Sequence, residues 1–377
     1  MGLIEEHEVV QESWFWSWFK WSPVSHNKLR QAEKKIFSVL KTEYRGCYVD
    51  IGPAVGNEDK IWTISVNEHC PGTPLVMLHG MGSGSALWVL NLDTIAKQRP
   101  VYCIDLLGFA RSSRPNFSTD PEVAEKQMVQ AIEAWRHEVR LNDMILLGHS
   151  LGAFLATSYS ISYPDRVKHL ILADPWGFPE RPNDVLSNKV SLPIWVKAIA
   201  FVVSPLNPLW AVRASGPLGP WLIQKARPDI MRKFAPVLGD DTSIVGQYIY
   251  QCNAQSPTGE SAFHAMMTGF GWAKRPMLNR IQHLREDVPM SILYGSRSWV
   301  DNAAGEIIRS KRPEGSYLNV QIISGAGHHV YADRCEIFNR IVIETVDRSS
   351  RPFTIEEPLQ AQEEDEEEKT ESDKKER

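Results

Sequence analysis

A chain of 377 residues with 43% hydrophobic content can bury a substantial core, and one α/β domain with a cap uses roughly 250–330 residues. Its five cysteines (Cys47, Cys70, Cys103, Cys252, Cys335) are odd in number and scattered, without Cys-x-x-Cys or His/Cys ligand spacing; this argues against disulfides and zinc, and fits a reducing, cytosolic compartment. The net charge of −5 hides an acidic end: Glu356 to Arg377 holds eleven acids and four bases, net −7, so the remainder carries about +2, with no basic stripe that would suggest nucleic acid.

Residues 1–40 read as a leader. Trp14, Phe15, Trp16, Trp18, Phe19 and Trp21 crowd six aromatics into eight residues beside Lys20. On a helix, Trp14, Trp18 and Trp21 share a face, and indole rings favour the headgroup–acyl boundary. The segment suits a membrane interface and is too short to span one. No apolar run approaches the ~20 residues of a membrane span. Glu5 and Glu6, with no cleavage pattern after them, argue against a signal peptide.

Residues 41–350 read as an α/β domain, a mostly parallel sheet with helices on both faces and a helical lid. Pro74 to Leu78 is a buried strand running into His79-Gly80-Met81-Gly82, where an oxyanion loop belongs. Met144 to Leu147 is a second, leading into Gly148-His149-Ser150-Leu151-Gly152 and then a helix. This G-x-S-x-G turn is a nucleophile elbow: Gly148 and Gly152 leave room for a tight turn that exposes the Ser150 hydroxyl. The N–H groups of Met81 and Leu151 would be the oxyanion donors.

His169 to Ala173 is a further strand, followed by Asp174-Pro175-Trp176-Gly177, which reads as a turn opening the lid. The lid, 178–286, is too long for a simple crossover. Its apolar segments at 194–203, 208–213 and 220–223 are broken by proline or glycine and would supply lid core and an acyl-chain groove. Lys225, Arg227, Arg232, Lys233, Lys274 and Arg275 are available there for a phosphate.

Met290 to Gly295 is another strand, and the triad acid is expected soon after it. The commonest position holds Ser298, so the expected acid is Asp301, the first beyond the strand, with Asp174 as the alternative. Asn319 to Ile323 leads into Gly325-Ala326-Gly327-His328-His329, where His328 fits the general base and His329 a neighbour pointing elsewhere. His328 and Asp333 also have the H-x4-D spacing of glycerolipid acyltransferases. Residues 351–377 form the acidic tail, expected to be solvated and disordered.

Three stretches carry a resemblance: Asp105 to Pro115, Tyr163 to Phe178, and His328 to Asp333. They resemble a small group of α/β hydrolases that contains the triglyceride-lipase coactivator of neutral lipid storage disease and an N-acylphosphatidylethanolamine lipase. The coactivator has asparagine at the nucleophile position, so with Ser150 this chain resembles the lipase branch.

The resemblance implies a cofactor-free serine hydrolase that removes acyl chains from (lyso-)N-acylphosphatidylethanolamine or related phospholipids, with its acid at Asp301. It also implies that the Trp-rich leader anchors a cytoplasmic protein peripherally on lipid droplets, endoplasmic reticulum or mitochondrial membranes. Arg297 and Gly327 match coactivator positions thought to engage a neutral triglyceride lipase, leaving that lipase and droplet coat proteins as partners. The alternatives are acyl transfer to lysophosphatidic acid and lipase coactivation.

Overall fold

The computed structural model describes residues 3–4, 24–181, 209–239, 241–269 and 271–349. The aromatic run from Trp14 to Trp21, the lid segment 194–203 and the acidic tail lie outside the described residues.

The strands are β1 (Leu3–Ile4), β2 (Tyr44–Gly52), β3 (Asp59–Val66), β4 (Leu75–Leu78), β5 (Val101–Ile104), β6 (Met144–His149), β7 (Val167–Ala173), β8 (Met267–Thr268), β9 (Trp272–Ala273), β10 (Met290–Gly295) and β11 (Leu318–Ile323). Nine of them make one sheet, ordered β1-β2-β3-β5-β4-β6-β7-β10-β11. The β1–β2, β2–β3 and β3–β5 pairs are antiparallel, and every pair from β5 to β11 is parallel. β4, β5 and β6 are buried along their whole length because helices cover both faces, which is why they read as continuous apolar runs.

Alternate residues divide the core in two. Val76, Leu78, Leu146, Leu170 and Ile292 pack with the helices Pro121–Glu138 and Leu151–Ser162. Leu75, Met77, Ile145, Ile171 and Leu293 pack with the helices His26–Phe37, Val89–Ile95 and Cys335–Ser349.

The boundary at residue 40 needs correction. Ser25 caps the helix His26–Phe37, which buries Leu29, Ala32, Ile36 and Phe37 against the sheet. Glu33 accepts the Trp62 indole N–H at 3.1 Å and pairs with Arg111 at 2.6 Å. The described domain body therefore includes this helix. Its apolar spacing is helical, but the neighbouring tryptophans dominate a reading by composition.

In the lid, helices span Trp210–Ala214, Gly219–Ala226, Pro228–Leu238, Ser243–Asn253 and Thr258–Met266, followed by the β8–β9 hairpin. Pro220 and Pro228 sit in first turns, where a missing N–H costs nothing. Arg213 joins Glu260 at 2.6 Å, tying the first of these helices to the last.

Candidate active site

Ser150 joins β6 to the helix Leu151–Ser162 with φ +53° and ψ −115°, a region that non-glycine residues rarely enter. Strain of this kind costs about 1–3 kcal/mol and persists only when the surroundings hold it. Here they do: the Ser150 N–H donates to the Ala173 carbonyl at 3.1 Å, and its carbonyl accepts the Trp176 N–H at 3.3 Å. A side chain on Gly148 would run into the backbone of Gly152, and one on Gly152 into the Leu78 carbonyl. The elbow therefore has no room for a side chain at either glycine.

The Ser150 hydroxyl lies 3.0 Å from His328 Nε2. On the other side of the ring, His328 Nδ1 lies 2.5 Å from Asp174 Oδ2. Asp174 is fully buried and, at φ +47°, also occupies strained backbone. Its Oδ1 accepts the Gly295 N–H at 3.0 Å, and its Oδ2 accepts the Ser298 hydroxyl. Ser298 Oγ in turn accepts the Val300 N–H at 3.1 Å.

The acid is thus Asp174 and not Asp301, which corrects both the sequence reading and the placement implied by the resemblance. Asp301 is exposed, and its carboxylate accepts the Ala303 N–H at 2.9 Å, before the helix Ala304–Lys311. β7 and β10 are neighbours with Ala173 opposite Leu293, so a carboxylate can reach His328 from the end of either strand. Here β7 supplies it, and the position after β10 supplies the Ser298 hydroxyl that holds it. Asp174 stands at φ +47° at the head of the turn read as opening the lid, and from there its carboxylate reaches His328. We expect Ser298→Ala to lower kcat for a soluble ester about tenfold, the usual cost of a lost hydrogen bond to a charged group. Unchanged turnover in that variant would contradict a role for Ser298 in holding Asp174.

Leu151 is the first residue of its helix, so its N–H lies outside the intrahelical ladder and at the positive end of the helix dipole. The Met81 loop passes close to the nucleophile: a Cβ on Gly80 would lie 3.1 Å from Ser150 Cβ. His79 braces this loop, donating from Nδ1 to the Gly80 carbonyl at 2.7 Å and accepting the Leu106 N–H on Nε2 at 3.0 Å. Burial pushes the His79 pKa down, which fits that neutral tautomer. The arrangement can pass a proton from Ser150 to His328 beside a loop able to hold an oxyanion.

Sequence reasoning missed His149. Its Nε2–H donates to the His328 carbonyl at 2.9 Å, and burial holds its pKa well below the ordinary value. The variable residue of the elbow thus supports the backbone of the base. Its ring packs among Trp88, Tyr331 and both histidines of the doublet. The only available signal was a ring-bearing residue beside the nucleophile. His329 packs against His149 and His328, as a neighbour should.

Asp333 does not bond to His328. It accepts the Gly327 N–H at 2.9 Å and pairs with Lys233 at 2.8 Å, so the H-x4-D spacing does not form a catalytic pair. Arg297 is exposed, and its N–H donates to the Ala326 carbonyl at 2.8 Å, which puts it next to Gly327. Of the lid cations, Arg227 pairs with Asp229, Arg275 with Glu122 and Glu125, and Lys274 donates to the Ala265 carbonyl. Lys225 and Arg232 are exposed. A cavity of about 390 Å³ lined by Cys47, Glu68 and Tyr102 lies at the β2–β3–β5 end of the sheet rather than over Ser150.

Residues 73–334 match the family of the α/β hydrolase fold. The chain is similar to the (lyso)-N-acylphosphatidylethanolamine lipase of Bos taurus, with 52% identity over 324 residues, 86% of this chain and 92% of that protein. It is 48% identical over 321 residues to 1-acylglycerol-3-phosphate O-acyltransferase ABHD5 of Mus musculus, covering 85% of this chain and 89% of that one. Among solved structures, naproxen esterase from Bacillus subtilis has a TM-score of 0.58 at 15% identity over 85% of this chain and 98% of its own. A bacterial membrane phospholipase A has a TM-score of 0.58 at 16% identity, over 86% and 92% of the two chains. Both likenesses concern the fold alone.

Proposed function

The chain belongs to the α/β-hydrolase family, and from that premise we propose that it is a serine lipase that removes acyl chains from (lyso-)N-acylphosphatidylethanolamine and related phospholipids. The observation that carries the chemistry is the line from Ser150 through His328 to buried Asp174. Ser150 Oγ attacks the ester carbonyl while His328 Nε2 takes its proton. The N–H groups of Leu151 and Met81 hold the oxyanion. His328 then protonates the departing glycerol oxygen, leaving the acyl group on Ser150. Water repeats the sequence, releasing fatty acid and restoring the serine. Asp174 fixes the ring tautomer and stabilises the imidazolium.

The substrate class rests on the lipase relatives at about half identity across most of both chains. Vesicles containing N-acylphosphatidylethanolamine, its lyso form, phosphatidylethanolamine or triacylglycerol separate the options when products are read by mass spectrometry. Fatty acid and the deacylated N-acyl phospholipid are expected from the first two. Cleavage of triacylglycerol alone would overturn the substrate assignment.

Acyl transfer to lysophosphatidic acid is the second reading, and the similarity to the acyltransferase-named relative favours it. An acyl group on Ser150 can pass to an alcohol instead of water. A lipase-coactivator role is supported by the adjacency of exposed Arg297 and Gly327, a surface that a neutral triglyceride lipase or droplet coat protein could engage.

Access to such substrates calls for attachment to a membrane or droplet. Among the described residues, no helix is long and apolar enough to cross a bilayer. Trp14, Trp16, Trp18 and Trp21 are the proposed peripheral anchor, on droplets, endoplasmic reticulum or mitochondrial membranes. Replacing Trp14, Trp18 and Trp21 with Ala should weaken vesicle binding roughly a hundredfold or more, at about 1–2 kcal/mol per indole. Activity on a soluble short-chain ester should persist. Unchanged vesicle binding in sedimentation would refute the anchor.

A further inference from the structure

Both oxygens of Asp333 are engaged by groups other than the His328 ring. Asp333 closes the short helix Val330–Asp333, which begins directly after the histidine doublet. Its Oδ2 accepts the Gly327 N–H at 2.9 Å, folding the side chain back onto the loop that carries the base. Its Oδ1 meets Lys233 Nζ at 2.8 Å, and the two side chains are only 16% and 14% exposed. Lys233 belongs to the lid helix Pro228–Leu238, whose Ile230, Met231 and Phe234 pack in the same core cluster as Val330 and Tyr331. The other carboxylate near Lys233 is Asp229, farther off at 3.9 Å and already paired with Arg227 at 2.9 Å.

Exposed ion pairs contribute little, whereas breaking a shielded one leaves a charge uncompensated. This pair is shielded, and one of its members is hydrogen-bonded to the residue just before the base. We propose that Asp333 is a positioning residue: with Lys233 it clamps the lid to the Gly327–His328 loop and so sets where the His328 imidazole stands. Asp333 then has no direct part in acyl transfer, despite its spacing from His328. Burial, followed by the Lys233 charge, pushes the His329 pKa down to about 3, so the neighbouring ring stays neutral.

This clamp rests on the hydrolase reading of Ser150 and His328, and four variants test it. Lys233→Met removes the lid arm alone, and Lys233→Arg preserves it. Asp333→Asn keeps an oxygen for the Gly327 N–H but loses the charge, and Asp333→Ala loses both contacts. On a short soluble ester, Lys233→Met and Asp333→Asn should each lower kcat about tenfold with KM unchanged. Their combination should be no worse than either alone, Lys233→Arg should remain near wild type, and Asp333→Ala should fall further.

Amide hydrogen exchange across 324–333 should quicken in Lys233→Met and Asp333→Asn but not in Lys233→Arg. That readout needs no turnover. A wild-type protein that cleaves no ester would therefore defeat the hydrolase reading while exchange still judged the clamp. With lysophosphatidic acid as acceptor, the ratio of transfer to hydrolysis should be unchanged in Asp333→Asn. Additive losses in the double variant, wild-type exchange in Lys233→Met, or transfer lost while hydrolysis is kept would each overturn the clamp.

Discussion

Asp174→Asn is expected to lower kcat for ester hydrolysis about 10³–10⁴-fold, while Asp301→Asn leaves it within about twofold. The amide keeps the size of the carboxylate but cannot compensate the imidazolium, and its NH₂ can face Nδ1 and stabilise the wrong tautomer. The Gly295 N–H and Ser298 hydroxyl now converge on a negative charge and would meet a neutral group instead. Asp301 has no comparable role, because it is exposed and accepts the Ala303 N–H in its own loop. Steady-state kinetics on a soluble ester, with circular dichroism to check folding, decides between the two. A large loss in Asp301→Asn with tolerance of Asp174→Asn would reverse the assignment.

Ser150→Ala should have the largest effect, a loss of about 10⁶-fold in kcat, as expected for a triad nucleophile. Alanine keeps the Cβ and the strained backbone, so the elbow retains its two carbonyl and N–H ties to Ala173 and Trp176. Its melting temperature should stay close to wild type, separating loss of chemistry from loss of structure. Retained hydrolysis by the purified alanine variant would place the nucleophile elsewhere.

The strands around the nucleophile were legible because both of their faces are buried: β4 and the first four residues of β6 are unbroken apolar runs, and β7 ends in the buried run Leu170 to Ala173. The elbow was legible because its two glycines answer a steric demand that no larger residue can meet. The base followed from its place after the last strand. The acid did not, since two adjacent strands can deliver a carboxylate to one imidazole and the deciding feature, the positive φ of Asp174, leaves no mark in composition. Ser298 at the commonest acid position was the one hint, and its meaning emerges only when its hydroxyl is seen on Asp174. The H-x4-D spacing misled for a related reason. Asp333 is bonded not to the His328 ring but to the Gly327 N–H and to Lys233, a hundred positions earlier in the chain. The helix His26–Phe37 was assigned to the leader because its register with the sheet depends on the long-range contacts of Glu33 with Trp62 and Arg111.

The most direct test is the site and rate of fluorophosphonate labelling, read by intact mass and peptide mapping of the wild type, Asp174→Asn and Asp301→Asn. One adduct on Ser150 is predicted, formed at nearly the same rate in wild type and Asp301→Asn, and far more slowly in Asp174→Asn. An adduct on another residue, or slow labelling in Asp301→Asn with normal labelling in Asp174→Asn, would contradict the Ser150–His328–Asp174 triad.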